Sequence, residues 1–114
     1  MKLNQIAEKL ELQLQTPSTN LMVDVTGGYI SDLLSDVMAH AKKGDVWITL
    51  QIHQNTVAVA TLKELAGIIL INGKQPAPET VKKAEEEGVP ILTGEATAFE
   101  LTCDLCKLGI SGSR

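Results

Sequence analysis

The chain has 114 residues, a formal net charge of −4 and 44% hydrophobic residues, the size and make-up of one domain folded around one core. Its ten basic residues are outnumbered by fourteen acidic ones and are scattered or set beside glutamates, as in Lys82-Lys83 before Glu85-Glu86-Glu87, which argues against nucleic acid as a partner. No apolar run approaches the roughly 18 residues of a membrane-crossing helix, residues 1–10 lack the apolar heart of a signal peptide, and two cysteines three positions apart cannot staple a secreted fold, so a cytoplasmic protein with no membrane contact is expected.

With Tyr29, Trp47 and Phe99 as the only aromatics, the core must be built from Leu, Ile, Val and Ala. Leu3, Ile6, Ala7 and Leu10 recur at helical spacing and predict a short amphipathic helix. Leu12 and Leu14 alternate with glutamines, the pattern of an edge strand, before the breaker run Thr16-Pro17-Ser18. Residues 21–25 read as a buried strand that stops at Gly27-Gly28. A helix follows in which Ile30, Leu33, Leu34, Val37, Met38 and Ala41 share one face, Asp32 serves as its cap, and Lys42-Lys43-Gly44 close it.

Residues 46–50 and 68–71 are short apolar runs with little alternation, as in strands covered on both faces. Between them, residues 55–66 read as a helix on the strength of Ala58, Leu62, Leu65 and Ala66, although Val57 and Val59 leave open a hairpin across residues 53–56. Pro78 at a first helical position, the pairs Glu79 with Lys83 and Lys82 with Glu86, and Gly88 at the end define a solvent-facing helix. A strand over 89–92 leads to a closing helix over 96–108 whose buried stripe takes in Phe99, Cys103 and Cys106; Gly109 ends it, and residues 111–114 form a mobile tail. Strands and helices thus alternate with short connections. The economical fold is a single α/β domain over residues 1–110, a mostly parallel sheet flanked by helices.

The run Val23-Asp24-Val25-Thr26-Gly27-Gly28, continued by Tyr29-Ile30-Ser31-Asp32-Leu33-Leu34, resembles the signature of the DRTGG domain family, with Val25 where the family name has arginine. Residues 68–73, Pro78-Glu79 opening a helix, and Glu87-Gly88-Val89-Pro90-Ile91 leading to Thr93 and Phe99 extend the resemblance over most of residues 21–108. It implies a fold like the amino-terminal domain of HPr kinase/phosphorylase. Domains of this kind occur alone or inserted in CBS-containing pyrophosphatases and phosphotransacetylase-like enzymes, and the resemblance implies a homodimer. It does not carry a kinase activity to this chain. A phosphate-binding loop needs a glycine cradle followed by Lys and a metal-binding Ser or Thr; residues 67–75, with Gly67, Gly73 and Lys74, fail on spacing and lack the hydroxyl.

If Thr26, Gly27 and Gly28 turn a strand into a helix, their exposed amides could hold a phosphate or carboxylate at the helix dipole; the plain alternative is a tight turn and close packing. Ligands of open parallel sheets gather beyond the carboxyl ends of the strands. That rule groups Thr26, Gly27 and Gly28 with His53 and Asn55, Asn72 and Gly73, and Thr93 and Gly94 on one rim. His53 alone makes neither a metal site nor an acid–base pair and reads as a helix cap or a solvated side chain. Cys103 and Cys106 have redox spacing, but they fall late in their helix, where the dipole opposes thiolate, and read as small core residues; two thiolates leave zinc under-coordinated unless a metal bridges two subunits.

No catalytic residue, metal or cofactor is therefore expected. The leading expectation is a non-catalytic regulatory or ligand-sensing module that binds a small anionic metabolite or nucleotide on the strand-end rim. The alternative is an interaction adaptor for a larger partner enzyme with no small-molecule ligand. An enzyme using His53 with Asp24 or Asp32 ranks last.

Overall fold

Stretches such as Val46-Trp47-Ile48 and Ile68-Ile69-Leu70, apolar at every position, can be satisfied only where both faces of a sheet are covered. The computed structural model, which describes residues 1–112, does this with a central sheet between two helical layers. In chain order the elements are α1 (Leu3–Lys9), β1 (Gln13–Leu14), β2 (Gly27–Ile30), α2 (Leu34–His40), β3 (Asp45–Thr49), α3 (Asn55–Lys63), β4 (Gly67–Leu70), α4 (Pro78–Glu87), β5 (Ile91–Thr93) and α5 (Ala98–Lys107). The strand order is β1-β5-β4-β3-β2; β2 to β5 are parallel, and β1 closes the far edge antiparallel to β5.

Alternation along each strand sorts the core into two halves. Val46, Ile48, Ile69 and Leu92 face a layer built by Leu3 and Ile6 of α1 and Leu101 and Leu105 of α5. Trp47, Ile68, Leu70 and Ile91 face Val37 of α2, Val57 and Ala60 of α3 and Ala84 of α4. Trp47 is fully buried, and its indole N–H donates to the carbonyl of Ser31 at 2.8 Å, so the one large aromatic of the core leaves no polar atom unpaired.

Most of the expected elements are present: α1, the edge strand β1, the helix α3 in place of a hairpin, α4 from Pro78 to Gly88, and the parallel sheet. Two are displaced. Residues 21–25 are extended but join the amino terminus instead of the sheet: Leu3 N–H donates to Val23 O, Asn4 N–H to Leu21 O and Val25 N–H to Met1 O. The first two bonds satisfy the free amides at the start of α1. The sheet strand begins only at Gly27 and takes in Ile30, so α2 starts four residues later than the sequence pattern predicts, and Leu33, its N-cap residue, is 64% exposed. Asp32 does not cap it. Its carboxylate accepts from the Thr49 hydroxyl and the Leu50 N–H, both at 2.7 Å, tying the ends of β2 and β3 together.

The third correction concerns α5. Leu101 and Leu105 are buried, whereas Phe99 is 79% exposed and Cys103 and Cys106 are both exposed free thiols. Two apolar stripes compete on this helix, and the sheet takes the one formed by the leucines. In α4 the ion pair formed is Lys83 with Glu87, not the pairs read from the sequence. Beyond α5, Gly112 bridges Gly28 at the outer edge of β2; Ser113 and Arg114, the end of the expected mobile tail, lie outside the described residues.

Gly44 and Gly88 separate two kinds of glycine. Both adopt positive φ, +86° and +74°, but a Cβ on Gly44 would drive into the Thr26 hydroxyl, while nothing lies within 4 Å of one on Gly88. Gly88→Ala is expected to cost about 1 kcal/mol, the left-handed backbone penalty alone. Gly44→Ala should cost more than about 2 kcal/mol, since steric displacement adds to it. Urea unfolding of the two variants checks the order; equal losses would show that the Thr26 contact carries no weight.

Candidate functional site

Because β2 to β5 run the same way, α2, α3, α4 and α5 all begin at the carboxyl edge of the sheet. That rim collects the amino ends of four helix dipoles, a field that favours negative charge. His53 and Asn55, Asn72 and Gly73, and Thr93 and Gly94 all lie on it. Thr26, Gly27 and Gly28 do not. Gly27 opens β2 opposite Asp45, the first residue of β3, and Thr26 N–H donates to Gly44 O at 3.0 Å, so the glycine pair stands at the other end of the sheet, where helices finish.

On the rim, α4 leaves β4 toward one face and α5 leaves β5 toward the other. The two turns are stitched by Asn72 N–H to Ala96 O at 3.0 Å and Gly73 N–H to Gly94 O at 2.9 Å. A small cavity of about 90 Å³ remains where they diverge, with Glu11 and Glu95 among its walls, a lining that repels anions. Thr93 is buried and accepts from the Gln15 side-chain amide at 3.0 Å, which ties β1 to β5. It also lines the small cavity, beside Gly73 and Gly94.

The turn from β3 to α3 differs. His53, Gln54 and Asn55 are all exposed, and the His53 Nδ1 accepts from the Asn55 N–H at 3.2 Å, so the ring caps the first amide of α3 and leaves Nε2–H for another acceptor. The first turns of α2, α4 and α5 contain Asp36, Glu79 and Glu100; that of α3 contains no acid. In α5 the amino end is already filled, since Thr97 and Glu100 form a reciprocal capping box and the Thr97 N–H holds the Glu100 carboxyl below the usual range. Of the four helices that begin on the rim, α3 alone has no acidic residue in its first turn; its first amides are held by the His53 ring and by the His53 and Gln54 carbonyls.

At the opposite edge Val23, Asp24 and Thr26, together with Lys43, Glu64 and Pro90, wall a cleft of about 490 Å³ that Gly27 and Gly28 do not line. Val25 is 3% exposed and packs into the core. Asp24 pairs with Lys2 at 2.9 Å, and the hydrogen bond from that ammonium keeps its carboxyl below the ordinary range; Lys43 pairs with Glu64 at 3.1 Å. The helices α3 and α4 finish here at Glu64 and Gly88, presenting carbonyl oxygens. The sign is wrong for phosphate on the motif glycines. Sequence reasoning missed this cleft because its walls come from four separated segments that no spacing rule connects.

Tyr29, the residue after the glycine pair, donates to Asp36 at 2.8 Å and stacks on His40, with ring centroids 6.4 Å apart; His40 in turn pairs with Asp36 at 3.0 Å. The bond to a carboxylate raises the Tyr29 phenol above its ordinary value, and the phenol, followed by Ser31 and His40, lowers the Asp36 carboxyl.

Comparison with models of known protein families gives no match, and neither does comparison with curated proteins. Among solved structures, the chain is similar to the CBS and DRTGG domains of the regulatory region of Clostridium perfringens pyrophosphatase, a structure complexed with the activator diadenosine tetraphosphate. The TM-score is 0.67 at 14% identity, over 90% of this chain and 44% of that one. The chain thus matches less than half of that regulatory region, and the likeness is one of fold.

The one tyrosine makes the α2 contact measurable. In Asp36→Asn the Tyr29 phenol should titrate at lower pH than in the parent, back toward about 10, read by absorbance of the phenolate. The parent should also lose on acidification a stabilisation that the variant lacks. Because the folded Asp36 value is depressed, that contribution is complete above about pH 4 and disappears as pH falls through the folded value. Identical tyrosine titrations would show that the pair does not persist in solution.

Proposed function

We propose that this chain is a regulatory module of the DRTGG type that senses a small anionic metabolite or nucleotide and carries out no bond chemistry itself. The Asp24 to Gly28 sequence and the fold shared with a pyrophosphatase regulatory region support the module; the start of α3 supports the ligand. The observation that carries the reading is the missing acid in the first turn of α3, beside the exposed His53 and Asn55, where the three neighbouring helices each supply their own carboxylate. An anion there would accept from the His53 Nε2–H and gain from the dipole. Lys74, exposed in the β4–α4 turn on the same rim, adds positive charge.

Among the described residues no pair of groups on the rim is placed as nucleophile and base. His53 spends Nδ1 on the α3 amide, Asp24 lies at the opposite edge of the sheet, and Asp32 is occupied by Thr49 and Leu50. A catalytic dyad of His53 with either aspartate therefore has no geometric support. Proposals that the chain acts as a homodimer or docks on a larger enzyme rest on exposed Leu33 and Phe99, at 64% and 79%, and a homodimer would be seen as doubled mass in light scattering.

Asn55→Asp tests the ligand reading with opposite signs on two measurements. Giving α3 an acid like that of its neighbours should stabilise the fold by about 0.3–1 kcal/mol. The same change should weaken binding of inorganic phosphate and ATP by roughly 5-fold or more through like-charge repulsion. Amide chemical-shift titration reads both the affinity and the place: shifts centred on residues 53–57 support the site. Shifts confined to the Asp24 to Gly28 end, or none at millimolar ligand, would reject it.

A further inference from the structure

We propose that Cys103 and Cys106 form half of a thiolate metal site that a second copy of this chain completes, taking Zn²⁺ or another thiophilic divalent cation. Both thiols are free and exposed, on a part of α5 that the sheet leaves uncovered. Residues three apart on a helix share a face, with Cβ atoms about 5–6 Å apart. That spacing decides between the two chemistries open to a close dithiol. A disulfide needs Cβ atoms about 3.5–4.5 Å apart, so closing one would distort α5. Two sulfurs bound to a tetrahedral ion at about 2.3 Å each lie about 3.8 Å from one another, which side-chain rotation alone can reach.

The pair cannot finish such a site within the chain. Among the described residues no group of three or more His, Cys, Asp or Glu side chains stands together, so an ion held by Cys103 and Cys106 keeps two positions open. A second copy, placed by a two-fold axis through the ion, supplies two identical thiolates and closes the tetrahedron. The surface allows that approach: Phe99, one turn before Cys103 on the same stripe, is 79% exposed, and Cys106 borders a small apolar cavity shared with Ile30 and Ile110. Both sulfurs bind as thiolates, and the charge of the ion stabilises that form. Each ion entering between two chains displaces four protons, so affinity rises with pH.

The thiol pair lies on the other face of the sheet from α3 and its anion site, and Co²⁺ titration of the full, reduced chain tests the metal site separately. The expected result is a sulfur-to-metal charge-transfer band with intense visible bands of tetrahedral thiolate cobalt. They should saturate at one ion per two chains, while light scattering shows a dimer that chelator dissolves. Cys103→Ser and Cys106→Ser, at exposed positions where serine leaves the fold intact, should each abolish the band. Saturation at one ion per monomeric chain, absence of thiolate bands, or bands that survive either substitution would overturn it.

Discussion

The direction of four strands governs this molecule. Once β2 to β5 run parallel, each connection must return across a face of the sheet, and every helix after β2 starts at the same edge. Dipoles that would cancel in an antiparallel bundle add up here, so one rim is a place for negative charge and the opposite edge a place for positive charge. Apart from the glutamates that close α4, the charged side chains at these helix ends follow this field. Asp36, Glu79 and Glu100 occupy first turns, and His40, Lys63 and Lys107 occupy last turns. Against that pattern, the first turn of α3 is conspicuous for the acid it lacks and not for an unusual residue.

The same polarity changes what the Asp24 to Gly28 segment means. At the carboxyl edge its glycines would be an anion cradle; at the amino edge they open β2 opposite Asp45 and Val46 of β3, and Thr26 locks to Gly44. Its neighbours there are ion pairs, Lys2 with Asp24 and Lys43 with Glu64, both at exposed positions where their worth to stability is small. The segment's main contribution is geometric. It ties the chain before β2 to the start of α1 and to the loop that opens β3, and so sets the register of the sheet edge on which Tyr29 and Ile30 are displayed.

A small α/β domain covers a sheet with few helices, and the coverage is uneven. One face receives α2, α3 and α4; the other has α1, α5 and the segment around residues 21–25. Where α5 lies on β3 and β4, its leucines are consumed and its other stripe, Phe99, Cys103 and Cys106, is left to the outside. The exposure of a phenylalanine and a dithiol on one helix is a consequence of layer geometry, and it gives the domain a surface distinct in chemistry from the polar rim.

By itself the sequence determined the class of fold. Unalternating runs at β3, β4 and β5 demand coverage on both faces, and helical spacing between them demands parallel crossovers, because both signals are local periodicities that burial must respect. It also determined α4 from Pro78 to Gly88, whereas for α3 it favoured a helix with a hairpin left open, and for His53 it left a cap and a solvated side chain side by side. Only the tertiary structure decided which apolar run near residue 25 enters the sheet, since 21–25 and 27–30 are both extended and the choice depends on the amino terminus pairing with the first of them. That choice moved Thr26, Gly27 and Gly28 to the opposite edge from His53 and Asn72. Likewise, which stripe of α5 is buried depends on the width of sheet left uncovered, a distance between elements far apart in the chain that no window of sequence contains.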